Sequence, residues 1–359
     1  MGSPLQGSVT PSQFNSLQTD VNPLSEVRAI NADTLKGIIN TSSTTVINFV
    51  GDSIMEGLKA SPNFKDGGFA GLLRTYLQNK YGSLGGGYTP YYYPYGSPSM
   101  IFTGSWNYYN GFGTTNIYAQ SVAGAGSSVE FDINGIGVEV YYSQGALAGT
   151  YDLYSDGVLI ESVDTIGSAN PINSHVTRGL SDGPHHIKLV NTGSKALFLL
   201  GFREVTSNTI GVLTNMCGRY GTKTTDAIPA NSLACTEYFN PNLTIIAYLA
   251  NDSSIQLDIA TYTSNLLTLI NSAQKNGGKV LLIADGVHYP TTTPLTEIQY
   301  TNAMRAVAIK KGCAFVDINY AWGYDGYIAN ALSYLGDGVH PSTAGHVYIY
   351  KIIKYMLGE

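Results

Sequence analysis

Short apolar runs that end at glycine or polar residues recur along the chain and predict buried strands. The first run, Thr45–Val50, stops abruptly at Gly51-Asp52-Ser53. A helical apolar pattern follows over Phe69–Tyr81, so this part of the chain predicts a strand, a loop and a helix. Upstream, Thr10-Pro11 fits a helix start, and apolar residues continue from there at roughly helical spacing. We therefore expect residues 1–43 to form a helical leader, which either packs on the main domain or serves for attachment or oligomerisation.

The pattern changes to β between residues 91 and 205. Val129, Phe131 and Ile133 alternate with polar residues, and Asp156-Gly157 stands between two strand-like runs, which is typical of a hairpin turn. Helical periodicity beyond two turns does not interrupt this region. Several short strands at such spacing predict an inserted all-β domain, a sandwich or jelly roll.

Strands alternate with helices again from residue 206 to residue 359. The strand-like runs are Ile210–Cys217, Leu243–Leu249, Val280–Ile283 and Ala314–Ile318, and the helical patterns are Gln256–Lys275, Thr296–Lys311 and Thr343–Met356. This alternation predicts a parallel sheet with helices on both faces. Because residues 44–90 supply only one strand, we expect them to join residues 206–359 in one α/β domain that the β region interrupts.

Composition limits the class of protein. Of the 359 residues, 43% are hydrophobic, which is enough for packed cores, while 12% are charged, about half the usual share. The net charge of −6 without a basic run makes nucleic acid an unexpected partner. Abundant glycine and tyrosine with low charge suit an extracellular or virion-associated protein, which we expect here. The N-terminus lacks a signal-peptide pattern, and no apolar run is long enough for a membrane span.

The three cysteines, Cys217, Cys235 and Cys313, are odd in number and widely spaced. Their spacing matches neither a zinc site nor a disulfide framework. The sequence therefore predicts no structural metal, and at most one disulfide can form.

Polar residues and glycine stand where the predicted parallel strands end. Ser53 ends the first strand, Gly218–Gly221 the second and Asn251-Asp252 the third, while Asp337 and His340 precede the last helix. The carboxyl ends of parallel strands share one edge of a sheet, where sites form. Taken singly, Ser53 or the Asn251-Asp252 pair is as well explained as a helix N-cap or a turn.

Together these residues satisfy the needs of acyl transfer, which are a nucleophile, a base held by an acid, and donors for an oxyanion. Ser53 can be the nucleophile and His340 its base, with Asp337 on the other imidazole nitrogen. The backbone N–H groups of Ser53 and Gly221, with the Asn251 amide, can supply the oxyanion donors.

The four blocks, beginning with GDSIMEG at residues 51–57 and ending with DGVHP at residues 337–341, resemble the SGNH (GDSL) hydrolase family. The resemblance covers about 44–90 and 206–359. It implies a flavodoxin-like three-layer α/β/α fold and ester hydrolysis without metal or other cofactor. It also implies the roles given above for Ser53, Gly221, Asn251, Asp337 and His340.

The chain departs from the family pattern at two points. Leu249 stands where the third block usually has glycine, so the loop that carries Asn251 can be shifted. The second block offers two glycines. Gly221 matches the family's Gly-x-Thr pattern better than Gly218, and both remain candidates for the oxyanion glycine.

The β region suggests the substrate, because it resembles the accessory β domains of carbohydrate esterases. We therefore expect a serine esterase that removes O-acetyl groups from a polysaccharide through an acyl-enzyme. The alternatives are a lipid or thioester hydrolase of the same family and a carbohydrate-binding adhesin on an inactive scaffold. Trp106 and His288 are candidate substrate contacts, although a tryptophan in this region is as readily explained by core packing.

Overall fold

The structure is a computed structural model that describes residues 28–91, 100–110, 117–121, 124, 126–289 and 294–359. The helix start predicted at Thr10-Pro11 lies outside these residues. None of the helices in the described ranges is long and apolar enough to cross a membrane.

Strands and helices are numbered along the described part of the chain. The strands are β1 (Arg28–Ile30), β2 (Thr45–Gly51), β3 (Thr89–Pro90), β4 (Ile101–Thr103), β5 (Trp106–Asn110), β6 (Ile117–Ser121), β7 (Ser128–Gln144), β8 (Thr150–Ser155), β9 (Val158–Asp164), β10 (Asn170–Asn191), β11 (Phe198–Val205), β12 (Val212–Gly218), β13 (Leu243–Ala247), β14 (Lys279–Ala284) and β15 (Ala314–Asp317). The helices are α1 (Ser53–Glu56), α2 (Phe64–Gly67), α3 (Phe69–Tyr81), α4 (Thr224–Ala227), α5 (Ala230–Glu237), α6 (Ala250–Ser254), α7 (Ile259–Gln274), α8 (Pro294–Lys311), α9 (Ile318–Ala321), α10 (Gly326–Ala331) and α11 (Thr343–Met356).

The α/β sheet has the strand order β1-β15-β14-β13-β2-β12, and β15, β14, β13, β2 and β12 run parallel. Successive side chains of a strand point to opposite faces. In β13, Leu243 and Ile245 pack with α3 and α11, whereas Ile246 packs with α7 and α8 on the other face. The predicted three-layer α/β/α architecture with a parallel sheet is confirmed.

The helical prediction is wrong for the described end of the leader. Arg28–Ile30 forms β1, which pairs antiparallel with β15 at the edge of the sheet. Asn31 adopts the left-handed conformation with φ of 53°, which ends the strand before a 3-10 turn at Ala32–Leu35. The helical spacing is misleading here, because Leu35 reaches the core from this turn.

The inserted β domain runs from β3 to β11, and the described pairings between its strands are antiparallel. The predicted hairpin at Asp156-Gly157 joins β8 and β9, with positive φ at both residues, as a two-residue turn requires. Hydrogen bonds link the described strands into one nine-stranded sheet rather than two separate ones. The alternating residues that the sequence predicts, such as Val129 and Phe131, form its buried core.

An aromatic cluster joins the two domains. The ring of Tyr88, which precedes β3, lies 5.3 Å from that of Tyr141 in the β domain and 5.1 Å from that of Phe239 beside α5. The chain leaves and re-enters the α/β domain at neighbouring points, because the Val212 N–H donates to Gly82 O at 2.8 Å. The β domain is therefore an insertion, after which the chain continues into β12, the strand that pairs with β2.

Candidate active site

The turn after β2 presents a serine at the start of a helix. Asp52 is the N-cap of α1, and its Oδ1 accepts the Ile54 N–H at 2.9 Å. Ser53 is the first helical residue and is almost fully buried. The alternative in which Ser53 itself caps the helix is therefore wrong, because the neighbouring aspartate does so and leaves the serine hydroxyl for other contacts.

Hydrogen bonds connect three side chains in a row, from Ser53 to His340 and from His340 to Asp337. Ser53 Oγ is 2.9 Å from His340 Nε2, and His340 Nδ1 is 2.9 Å from Asp337 Oδ2. The loop curls because Asp337 Oδ1 accepts the backbone N–H groups of Val339 and His340 at 2.9 and 2.8 Å. The imidazole can thus take a proton from the serine while the carboxylate holds its other nitrogen.

Asp337 is held in its ionised form. Burial raises the pKa of this carboxyl, but the hydrogen bonds from the His340 backbone and imidazole and from the Val339 N–H outweigh burial and lower it to about 2. Lys59 Nζ lies 3.6 Å from Asp337 Oδ2. A negative charge therefore stands beside the imidazole at every pH above about 4.

The loop after β12 carries Gly221 and is tied to the end of β2. The Arg219 N–H donates to Gly51 O at 3.0 Å, which ties this loop to the end of β2. Gly221 is exposed with φ of 72°, and its N–H meets no acceptor among the described residues. Gly218 instead ends β12 as a buried residue paired with Gly51. Of the two candidate glycines, Gly221 has the geometry of an available donor.

Asn251 lies in α6, next to the same loop. Its Nδ2 donates to Thr222 O at 3.0 Å and lies 3.4 Å from Asp52 Oδ2. The Leu249 side chain is fully buried in the core that packs against α7 and α8, so the departure from glycine fills the core and leaves Asn251 beside Asp52.

Two buried carboxyl groups influence each other, and one of them belongs to Asp52, the residue before Ser53. Burial raises the pKa of Asp52 to about 7, against the opposing hydrogen bond from Ile54. Burial and the neighbouring Asp52 carboxyl raise the pKa of Asp285, which is 2% exposed and follows β14, well above its ordinary value. Two close carboxylates do not both ionise readily in a buried site, so the pair retains a proton near neutral pH.

The two proposed substrate contacts lie in different places. His288 follows β14, and its Nδ1 is 2.5 Å from Glu297 Oε1, while the next residue, Tyr289, donates its N–H to Gly338 O at 2.7 Å. This places His288 next to the loop that carries Asp337 and His340. Trp106 lies in the β domain, where it packs against Phe102 and donates to Thr103 O at 3.1 Å.

Within the described ranges, no group of three or more His, Cys, Asp or Glu side chains is arranged to hold a metal ion. All three cysteines are buried free thiols.

Sequence reasoning missed two residues at this site. The Tyr220 ring stacks on the His340 imidazole, with centroids 6.3 Å apart and planes 26° from parallel. The Tyr220 N–H donates to Glu56 Oε2 at 2.8 Å. Glu56 could have been identified from the sequence, because it follows Ser53 by three residues and so shares its helix face. Tyr220 could not, since its contact with His340 spans 120 residues of chain.

The profile of the GDSL-like lipase/acylhydrolase family matches residues 203–348. This region contains the second, third and fourth blocks, and the resemblance to the SGNH family is confirmed. The chain is a carboxylic ester hydrolase, an esterase or acylhydrolase. No curated protein matches the chain in sequence.

Three of the solved structures that match this chain differ in how far they resemble it. A structure described as a peptidoglycan O-acetylesterase in action is 19% identical, covers 91% of this chain and 95% of its own, and superposes with a TM-score of 0.67. A family two carbohydrate esterase from Clostridium thermocellum is 15% identical over 72% of this chain and 98% of its own, with a TM-score of 0.32. A family 35 carbohydrate-binding module is 16% identical over 30% of this chain and 85% of its own, with a TM-score of 0.27. The first of these shows the fold, and the other two are too dissimilar to bear on it.

Proposed function

We propose that this protein is a serine esterase that removes O-acetyl groups from a polysaccharide through an acyl-enzyme on Ser53. The observation that supports this mechanism best is the unbroken series of contacts from Ser53 Oγ to His340 Nε2 and from His340 Nδ1 to Asp337 Oδ2. Acyl transfer by a hydroxyl requires a nucleophile that is hydrogen-bonded to a base, and a base that is held by an acid.

Acylation begins when Ser53 Oγ attacks the acetyl carbonyl carbon and its proton passes to His340 Nε2. The ionised Asp337 stabilises the imidazolium that forms. The negative charge that develops on the carbonyl oxygen is stabilised by the N–H groups of Ser53 and Gly221 and by Asn251 Nδ2. When the tetrahedral intermediate collapses, the sugar oxygen leaves with the proton from His340.

Deacylation repeats these steps with water in place of the serine hydroxyl. His340 takes a proton from water, the resulting hydroxide adds to the acetyl-Ser53 ester, and Ser53 Oγ leaves with the proton. The products are acetate and a free sugar hydroxyl. The chain's own residues supply every proton transfer in this scheme.

A polysaccharide substrate is supported by two observations. The solved structure that shares the fold over 91% of this chain is described as a peptidoglycan O-acetylesterase. The inserted β domain adds aromatic surface next to the α/β domain, with Tyr108 and Tyr109 exposed on β5. Aromatic faces of this kind stack on sugar rings.

The nucleophile is tested with Ser53→Ala and His340→Ala, assayed on p-nitrophenyl acetate. Each is expected to lower kcat by several orders of magnitude, because members of such a set act as a unit. Mass spectrometry of the wild-type protein under single turnover should find one acetyl group on Ser53. Wild-type activity in Ser53→Ala would remove this serine from the mechanism.

The substrate is tested by acetate release from acetylated xylan and from O-acetylated peptidoglycan, beside p-nitrophenyl esters of rising chain length. Preference for acetate and release from a glycan support the proposal. Preference for acyl chains of about eight carbons or more would instead support the lipid hydrolase. Glycan binding without turnover of any ester would support the adhesin.

A further inference from the structure

Glu56 links the nucleophile helix to the loop that carries Gly221. It lies on α1, three residues after Ser53, and its Oε2 accepts the Tyr220 N–H at 2.8 Å. The Gly221 N–H is the next donor along the chain. The glutamate therefore fixes the peptide group that immediately precedes the proposed oxyanion donor.

The rest of this loop is anchored at its ends. The Arg219 N–H donates to Gly51 O at 3.0 Å, and Thr222 Oγ1 donates to Arg219 O at 2.6 Å. These two bonds hold Arg219 and Thr222, and the Tyr220–Gly221 turn lies between them. The bond to Glu56 is the described contact that joins the middle of the turn to α1.

The same turn positions the base. The Tyr220 ring stacks on the His340 imidazole at a centroid distance of 6.3 Å. Movement of the Tyr220 backbone would thus displace both an oxyanion donor and a neighbour of His340. A displacement of about 1 Å at such groups costs on the order of 100-fold in rate.

We propose that Glu56 is a positioning residue that holds the Tyr220–Gly221 turn in its active arrangement and does so best as a carboxylate. The inference rests on the proposed function, because it assigns Gly221 and His340 their catalytic roles. An ionised acceptor makes a shorter and roughly twofold stronger hydrogen bond than a neutral one.

The protonation of Glu56 changes within the working range of an esterase. Burial raises the pKa of Glu56 to about 7, while the Tyr220 N–H and the Arg219 guanidinium oppose this shift. Glu56 also borders a cavity of about 50 Å³ that Lys65 and Arg74 line, and the carboxyl of Asp52 lies nearby.

The experiment compares Glu56→Gln and Glu56→Leu with the wild type on p-nitrophenyl acetate. Glutamine keeps an acceptor oxygen but cannot ionise, so kcat should fall by less than about tenfold. Leucine removes the bond, and kcat should fall about 10- to 100-fold while KM changes by less than about twofold. The melting temperature of each variant should stay at or above that of the wild type, because a desolvated carboxyl is lost.

The pH profile separates this role from a structural one. In the wild type, protonation of Glu56 should lower kcat/KM on the acid limb by a step of less than about tenfold, and this step should be absent in Glu56→Gln, since that ionisation disappears. The matched control is Glu237→Gln, which removes a hydrogen-bonded carboxylate on α5 and should leave the limb unchanged.

Two results distinguish the possible failures. An unchanged acid limb in Glu56→Gln, or a kcat within about twofold of wild type in Glu56→Leu, overturns the role of Glu56 alone. Full activity in Ser53→Ala would instead overturn the proposed function on which this inference rests.

Discussion

At the scale of single residues, both oxygens of Asp337 contact the imidazole of His340. His340 Nδ1 lies 2.9 Å from Oδ2 and 3.1 Å from Oδ1, and Oδ1 also accepts the backbone N–H groups of Val339 and His340. Oδ2 thus acts on the imidazole, while Oδ1 also shapes the loop. A substitution that replaces only Oδ2 by a donor tests the contact with the imidazole and keeps the acceptor for the loop.

Asp337→Asn is that substitution, because the amide oxygen can take the place of Oδ1 and the amide nitrogen that of Oδ2. A donor would then face His340 Nδ1 and favour the wrong tautomer, so kcat on p-nitrophenyl acetate should fall by about 10³- to 10⁴-fold. Asp258→Asn, at the N-cap of α7, is the control and should keep full activity. Equal rates in both variants would contradict a role for Asp337 in orienting the base.

A second histidine, His346, is a buried structural group. Its Nδ1 accepts the Phe69 N–H at 3.4 Å, and its Nε2 lies 3.2 Å from Leu58 O. Burial lowers the pKa of His346 to about 4, although the Leu58 carbonyl opposes this. Between pH 4 and about 6.5, the folded protein therefore binds fewer protons at this residue than the unfolded chain does.

It follows that the stability contributed by neutral His346 is present above about pH 6.5 and is lost as the pH falls toward 4. His346→Gln cannot titrate, so its free energy of unfolding should improve relative to wild type by up to about 3 kcal/mol between pH 7 and pH 4. Urea titrations at several pH values measure this difference. The same pH dependence in His346→Gln as in the wild type would refute the assignment to His346.

At the scale of elements, the turn from β13 to α6 shows how a departure from the family pattern is accommodated. Leu249 is fully buried, and a Cβ on Gly286, after β14, would lie 2.7 Å from Leu249 Cδ2 and 2.8 Å from Ala250 N. Leu249 thus replaces glycine in the turn after β13, and Gly286 in the turn after β14 leaves room for its side chain. Asn251 therefore stays beside Asp52.

Leu249→Ala should therefore act mainly on stability. Removing a fully buried leucine side chain is expected to cost about 2–5 kcal/mol in the free energy of unfolding, measured with urea. The kcat of the folded Leu249→Ala variant should stay close to that of the wild type, since Asn251 is held by Asp52 and Thr222 and not by Leu249. If Leu249→Ala were as stable as wild type, the side chain would not be part of the core.

The long periodic elements were predictable because their pattern is local. Phe69–Tyr81 and Thr343–Met356 have the bounds that their apolar spacing predicts. The strand ends that carry Ser53 and Asn251 were predictable for the same reason. The sequence thus specified the sheet, the insertion and the candidate residues at its edge.

The remaining features depend on contacts between distant parts of the chain. Arg28–Ile30 is too short to show a strand pattern, and its pairing with β15 spans nearly 290 residues. The contact of Glu56 with Tyr220 crosses the whole insertion. Such pairings form only in the assembled fold, so the local periodicity of the sequence does not predict them.

At the scale of the whole molecule, the two tryptophans report on different domains. Trp322 is buried in the α/β core, and Trp106 lies on β5 of the β domain. Tyr88 is almost fully buried between these domains, and its hydroxyl donates to Leu200 O at 2.9 Å. Loss of this ring should weaken the contact between the domains.

Single-tryptophan variants can test this coupling. In the Trp106→Phe and Trp322→Phe backgrounds, the urea transitions should coincide, because the docked domains unfold together. Adding Tyr88→Ala should cost about 3–5 kcal/mol and separate the two transitions, whereas Tyr88→Phe should cost about 1 kcal/mol. Transitions that remain coincident in Tyr88→Ala would show that other contacts couple the domains.

The neighbouring entry and exit points of the insertion have a consequence for how such a chain can evolve. Gly82 and Val212 are hydrogen-bonded to each other, so the two points where the insertion leaves and re-enters the α/β domain are held side by side. The intervening residues can therefore lengthen, shorten or be replaced by recombination while the path of the α/β chain stays the same. Natural variants with exchanged insertions would then differ in the surfaces they recognise and share one hydrolytic chemistry.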